Sequence, residues 1–239
     1  MKAAIFPRIQ PTRIFAERPV VEHSFPIQSL QIDWDRLIAK RPYVLETVED
    51  MPLYLLKPEV LALLARESDP EQRLILDLMW STGARVSECL ALTPASFVDD
   101  GYDYSVRLRT LKQRPGRPSK KALARSQTRF VPINDSILLD RIQTHLRRGQ
   151  YRQSAPIFQI TRQTVNRRLK TLVREAGGAD FNVVSHTFRH SFAVHMLLHG
   201  RPLKYISKLL GHRSVDSTEI YTNVLIADGA HFMEGVEFH

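Results

Sequence analysis

Leu209-Leu210-Gly211-His212-Arg213-Ser214-Val215-Asp216-Ser217-Thr218-Glu219-Ile220-Tyr221-Thr222 ends a short amphipathic stretch on a glycine and leads, nine residues past His212, to a tyrosine. Ile206, Leu209 and Leu210 predict a short helix, and Gly211 supplies its left-handed stop. A lone tyrosine there is ordinarily a half-buried aromatic with a wet hydroxyl. Upstream, Ser185-His186-Thr187-Phe188-Arg189-His190 opens a strongly apolar helix predicted from a Ser185 cap to His199, where Gly200 stops it. His186 and Arg189 fall on one face of that helix. Further back, Thr82-Gly83-Ala84-Arg85-Val86-Ser87-Glu88 sets Arg85 and Glu88 three apart at another helix start. Each pair alone is more often structural than functional.

Around these segments the hydrophobic period is mostly helical. Pro58 suits a first helical turn followed by Val60, Leu61, Leu63 and Leu64, and Pro70 opens a helix carrying Leu74, Ile75, Leu78 and Met79. Beyond Thr93-Pro94 the period becomes two: Tyr104, Val106 and Leu108 alternate with Ser105, Arg107 and Arg109, and Phe130-Val131-Pro132-Ile133 reads as the returning strand. Asn134 or Asp135 can cap a helix running to Arg148, and Thr161 one running to Glu175. The expected fold class is therefore α+β, mainly helical, with a small antiparallel sheet. Residues 1–50 contain Pro7, Pro11, Pro19, Pro26 and Pro42, with helical pattern only over Leu30–Ala39. They are read as an N-terminal arm preceding one domain over 51–239.

The chain has 239 residues and a formal charge of +9. Residues 1–50 are balanced at seven basic and seven acidic side chains, so the whole surplus lies in 51–239. No acid occurs between Asp103 and Asp135, a span holding Arg107, Arg109, Lys112, Arg114, Arg117, Lys120, Lys121, Arg125 and Arg129. A second basic cluster comprises Arg162, Arg167, Arg168, Lys170 and Arg174. Such runs need solvent or a polyanion beside them, and the sequence pI near 9.9 favours nucleic acid. A membrane surface fits less well, since large apolar anchors do not interleave with the charges.

Taken in order, an arginine, a lysine within a hairpin, His-x-x-Arg, Gly-His and a tyrosine resemble the tyrosine recombinases of the phage integrase family, over roughly 51–239. The resemblance is strongest to the short members, such as fimbrial switch recombinases and plasmid or phage resolvases. It implies a catalytic domain in which Arg85 and Arg189 grip the scissile phosphate, flanked by His186 and His212. Glu88 is the supporting acid and Tyr221 the nucleophile. Lys112 is the simplest match to the general acid, with Lys120 and Lys121 as competitors. The implied reaction cuts and rejoins DNA at specific sites through a 3′-phosphotyrosyl link and a Holliday junction, for integration, excision, inversion or multimer resolution. It implies double-stranded DNA as partner, a homotetramer on two recombination sites, room for accessory DNA-bending proteins, and no metal, cofactor or ATP.

Physical chemistry explains the residue types. Attack on a phosphodiester adds negative charge to its non-bridging oxygens, which guanidinium forks meet bidentately. A tyrosine with an ordinary pKa near ~10 needs positive charge and a base beside it. The departing 5′ oxygen needs a proton, which lysine releases more readily than arginine. Arg162, Arg167, Arg168 and Arg174 are expected to hold DNA phosphates, with Gln163 or Asn166 as candidates for base edges or for a structural role.

Rival readings are weaker. His186/His190 and His195/His199 are two i, i+4 pairs, but Thr187 stands where a zinc-protease helix needs glutamate. A type IB topoisomerase shares the chemistry without a partner site. A silent DNA-binding protein would be expected to have lost one of the reacting residues. Cys89, the single cysteine, cannot make an intrachain disulfide, and with no secretory or membrane-spanning stretch a cytoplasmic location is expected. Finally, Thr222–His239 is too apolar for a free tail, and either folds back or docks on a neighbouring protomer.

Overall fold

The computed structural model describes residues 32–110 and 128–228. Helix α1 spans Trp34–Thr47, α2 Lys57–Arg66, α3 Pro70–Thr82 and α4 Val86–Leu90. A 3-10 turn at Pro94–Ser96 leads into strands β1 (Phe97–Asp99), β2 (Tyr104–Arg109) and β3 (Thr128–Pro132). Helices α5 (Ser136–Gly149), α6 (Arg162–Glu175), α7 (Ser185–Leu198) and α8 (Leu203–Leu210) follow, then α9 (Asp216–Glu219), a 3-10 turn at Ile220–Thr222 and α10 (Asn223–Asp228). The α+β class, mainly helical with one small antiparallel sheet, is as the sequence predicts.

Helix α3 lies at the centre, burying Leu74, Ile75, Leu76, Leu78 and Met79 against α7, α5 and α4. Its ends follow from local chemistry. The Asp69 carboxylate accepts from the Gln72 N–H at 2.8 Å, Pro70 sits in the first turn, and Gly83 closes the helix at φ +63°. At Gly83 the glycine is required twice, because a Cβ there would also come within 2.4 Å of the Phe192 ring. That contact lets α7 approach the end of α3, which brings Arg85 and Arg189 to one place.

The sheet pairs β1 with β2 and β2 with β3, all antiparallel, with Val106 opposite Val131 and Leu108 opposite Arg129. The alternation predicted for β2 holds, with Val106 and Leu108 buried. Strand β1 was not foreseen, since three residues are too few to show a period. Asp135 is the cap of α5, accepting from Ile137 and Leu138, and Thr161 caps α6. At α7 the expected Ser185 cap is displaced by one: Val184 is the cap residue, and the Ser185 N–H donates to the Asn166 side chain at 2.9 Å.

The largest departure lies in the arm. Helix α1 runs to Thr47, well beyond Ala39, with Pro42 inside it. Its Leu37 and Val44 join the main core, and Arg41, buried, forms two bonds to Glu59 of α2 and lies 5.1 Å over the Phe181 ring. Arg41 occupies the inward face, so the apolar pattern that would have revealed the helix is broken by a charge. Trp34 stacks on His195 of α7. Helix α10 packs on α1 of the same chain, with Val224 buried. Gly229–His239 lie outside the described residues. No described helix is long and apolar enough to cross a membrane.

Candidate active site

Three chain breaks in regular structure meet here: the α3–α4 junction, the start of α7, and the loop after α8. Arg85 precedes α4, where its backbone N–H donates to Glu88 at 2.8 Å and its guanidinium reaches the same carboxylate at 3.2 Å. The Arg85 side chain is one-third exposed, whereas Glu88 is buried. Arg189, on α7, is 1% exposed and donates to the carbonyl oxygens of Gly83 at 2.8 Å and Leu210 at 2.6 Å. Helix ends leave such carbonyls without intrahelical partners, so Arg189 closes two helices at once and is held by both.

His212 follows Gly211, whose φ of +69° turns the chain out of α8, and its Nδ1 bonds the Thr218 hydroxyl at 2.8 Å. Tyr221 sits in the 3-10 turn, 2% exposed, with its hydroxyl 2.6 Å from Nδ1 of His190. His186 lies edge-on to His190, with ring centroids 4.6 Å apart. Burial followed by the charges of Arg189 and Arg85 lowers the His186 pKa, and the same causes bring His212 to about 4. Burial, then His186 and Arg189, takes His190 to about 3. Tyr221 is pushed up to about 12 by burial, against a lowering by Arg189. Burial, with Arg85 and Arg129 close by, pulls Arg189 down to about 9, which still leaves it charged at neutral pH. The charge of Arg189 reaches His186, His212 and Tyr221, and that of Arg85 reaches His186, His212 and Arg189, so the five side chains form one cluster.

Two further side chains beside that cluster are not marked as site residues by the sequence pattern. Arg129, counted only within the basic run, is a buried side chain on β3. Its guanidinium donates to both Glu88 oxygens at 3.0 and 2.7 Å, to Thr110 at 3.1 Å and to the Leu209 carbonyl. Burial alone would raise the Glu88 pKa, but the bonds and charge of Arg129, then those of Arg85, hold it below the ordinary carboxylate range. Strand alternation is the signal that could have found Arg129, because it shares a face with buried Val131 while Phe130 points outward. In the sequence His190 stands out only as half of an i, i+4 histidine pair. Among the described residues no three His, Cys, Asp or Glu side chains form a group that could hold a metal ion.

Helix α6 buries Val165, Leu169 and Leu172 and leaves Arg162, Arg167 and Arg174 exposed. Arg168 departs from the expected phosphate set: it turns to buried Glu67 at 2.7 Å and to Glu175 at 3.6 Å, because an acid enclosed by α2 and α6 requires a counter-charge. Asn166 has the structural role, capping the start of α7. Lys112, Lys120 and Lys121 lie outside the described residues.

Residues 54–227 match the model of the phage integrase family. The chain belongs to this family. As an integrase-family member it is 40% identical over 202 residues to a resolvase of Escherichia coli (strain K12), covering 76% of this chain and 75% of that one. It is 31% identical over 169 residues to the tyrosine recombinase XerC of Agrobacterium fabrum, covering 67% of this chain and 47% of XerC. Its fold is shared with XerH site-specific recombinase, solved bound to its difH substrate before cleavage, at a TM-score of 0.59 and 20% identity. That superposition covers 77% of this chain and 54% of XerH, so the integrase-family domain here spans about half of the XerH chain.

Proposed function

We propose that this tyrosine recombinase exchanges strands between double-stranded DNA sites, with Tyr221 as nucleophile. The observation that carries the reading is the single cluster in which Arg189 is fixed by two helix-end carbonyls, Arg85 is fixed by Glu88, and both charges reach His186 and His212. Such a pair of guanidiniums meets the charge that grows on a phosphodiester during in-line attack, with little rearrangement of their own anchors. The Tyr221 oxygen forms the 3′-phosphotyrosyl ester and the 5′ oxygen leaves as a hydroxyl. The free 5′ hydroxyl of the partner strand then reverses the step. The ester conserves the bond, so no nucleotide is consumed.

In this reading His212 and His186 contact the phosphate, and Lys112 protonates the leaving oxygen. Glu88 orients Arg85, while Arg162, Arg167 and Arg174 hold DNA phosphates. Exchange of both strand pairs passes through a Holliday junction held by a homotetramer on two sites, with accessory DNA-bending proteins as an option. The N-terminal arm, with α1 fastened to α2, helps clamp the duplex. The test uses Tyr221→Phe with nicked duplexes from a randomised pool. Wild type leaves protein–DNA adducts on denaturing gels, and the variant binds DNA but leaves none; an adduct persisting in the variant moves the nucleophile elsewhere.

A further inference from the structure

The hydroxyl of Tyr221 is bonded to neither His186 nor His212. It is bonded to His190, a residue with no part in the chemistry proposed above. We propose that His190 is a positioning residue that parks the Tyr221 hydroxyl in the DNA-free protein, keeping the nucleophile neutral and buried until the Ile220–Thr222 turn is displaced.

Three observations support this. First, the bond is short, at 2.6 Å, and both partners are largely enclosed, Tyr221 being only 2% exposed. A neutral histidine engages the phenol in either tautomer. If the hydroxyl donates to Nδ1, its proton is retained; if Nδ1–H donates, a lone pair needed for attack is occupied. Second, burial disfavours the imidazolium of His190 and the phenolate of Tyr221 together, so the pair stays as two neutral groups and His190 is a poor proton acceptor in this arrangement. The contact therefore restrains the tyrosine rather than activating it. Third, the segment that carries Tyr221 is made of short elements. It is a 3-10 turn of three residues between helices of four and six residues, and among the described residues its side-chain bonds to α7 and to the loop after α8 are two, Tyr221 to His190 and Thr218 to His212. A phosphate drawing on His212 loosens one of them, and His190 is what remains.

The inference rests on Tyr221 being the nucleophile, but its test needs no cleavage. The DNA-free full chain is treated with N-acetylimidazole, which acetylates accessible phenols, and each tyrosine peptide is followed by mass spectrometry. Tyr102, 83% exposed, and buried Tyr54 give the fast and slow references within the same molecule. Wild-type Tyr221 is expected to react as slowly as Tyr54. In His190→Phe its rate should rise at least tenfold toward that of Tyr102 with Tyr54 unchanged, and His190→Asn, whose amide reaches the place of Nδ1, should restore protection. Tyr221 reacting slowly in His190→Phe while Tyr54 is also slow would overturn the proposal, as would wild-type Tyr221 reacting like Tyr102. Should phenylalanine expose Tyr54 as well, the decision passes to a variant that keeps the ring packing. Tyr221→Phe must then shift the ¹⁵Nδ1 resonance of His190 in the long-range proton–nitrogen spectrum, and an unmoved resonance refutes the bond. Failure of covalent trapping would instead remove the nucleophile assignment and leave this contact standing.

Discussion

Replacing Arg129 by methionine removes a charge from the interior while leaving its partner there. Glu88 has a side chain only 1% exposed, and Arg129 provides two of the bonds that satisfy it. Breaking a buried pair by deleting one member costs about 3–5 kcal/mol, because the remaining charge loses its buried partner and here keeps only the one-third exposed Arg85 as counter-charge. For a chain of this size that corresponds to roughly 6–20 °C in melting temperature. The pH dependence has a definite sign. In wild type the Glu88 pKa is depressed, so the pair's contribution is complete above the unfolded carboxyl value of about 4.3 and is lost as pH falls through the folded value. In Arg129→Met, burial is opposed by Arg85 alone, so the same pKa should rise. The variant then gains stability as Glu88 takes up its proton on acidification, so its deficit relative to wild type narrows from pH 7 to pH 5. Glu88→Gln/Arg129→Met should be more stable than Arg129→Met, since the amide carries no charge while keeping bonds to Arg85 and Thr110. Urea denaturation followed by near-ultraviolet circular dichroism measures all three proteins. A loss under about 1 kcal/mol, or a double variant as unstable as the sum of the singles, would refute the buried-pair reasoning.

Acid should also act through the histidines. With His190 and His195 brought to about 3 and His212 to about 4 by burial and neighbouring charge, the unfolded chain binds protons first, so stability of the DNA-free protein should fall as pH drops below about 6.5. Denaturation midpoints unchanged between pH 7 and 5 in wild type would contradict this. Lys112→Ala should cleave ordinary DNA poorly yet recover on a substrate with sulfur at the 5′-bridging position, since thiolate leaves without a proton; rescue at Lys120→Ala or Lys121→Ala instead would move the acid. Arg167→Ala should weaken DNA binding and reduce its salt dependence by about one phosphate contact. Arg168→Ala should act mainly on stability, by leaving Glu67 buried without its partner; titrations over a salt series, beside thermal melts, separate the two.

The residues legible in the sequence were those announced by local pattern. Gly83 and Gly211 end helices by backbone conformation, and Arg85, His186, Arg189, His212 and Tyr221 stand at spacings that survive without knowledge of tertiary contacts. Arg129 was hidden because burial of a charge depends on a partner 41 residues away, and nothing in a basic run marks which member turns inward. Arg168 shows the same ambiguity in reverse: its neighbours on α6 face solvent, but Glu67 captures it. Only part of helix α1 is legible because Pro42 and the inward Arg41 interrupt its pattern, while the contacts that stabilise it come from α2, Phe181 and α10. His190 and Tyr221 are 31 residues apart, and only the packing of the 3-10 turn on α7 brings them together.

The central claim is that Tyr221 attacks DNA within this cluster. Its most direct test traps the protein on nicked duplexes, digests the adduct with protease and nuclease, and identifies the modified peptide by mass spectrometry. The expected product is a nucleotide attached to Tyr221 through its 3′ phosphate, together with a released 5′ hydroxyl that polynucleotide kinase labels directly. An adduct on another residue, or a linkage through the 5′ phosphate, would contradict it.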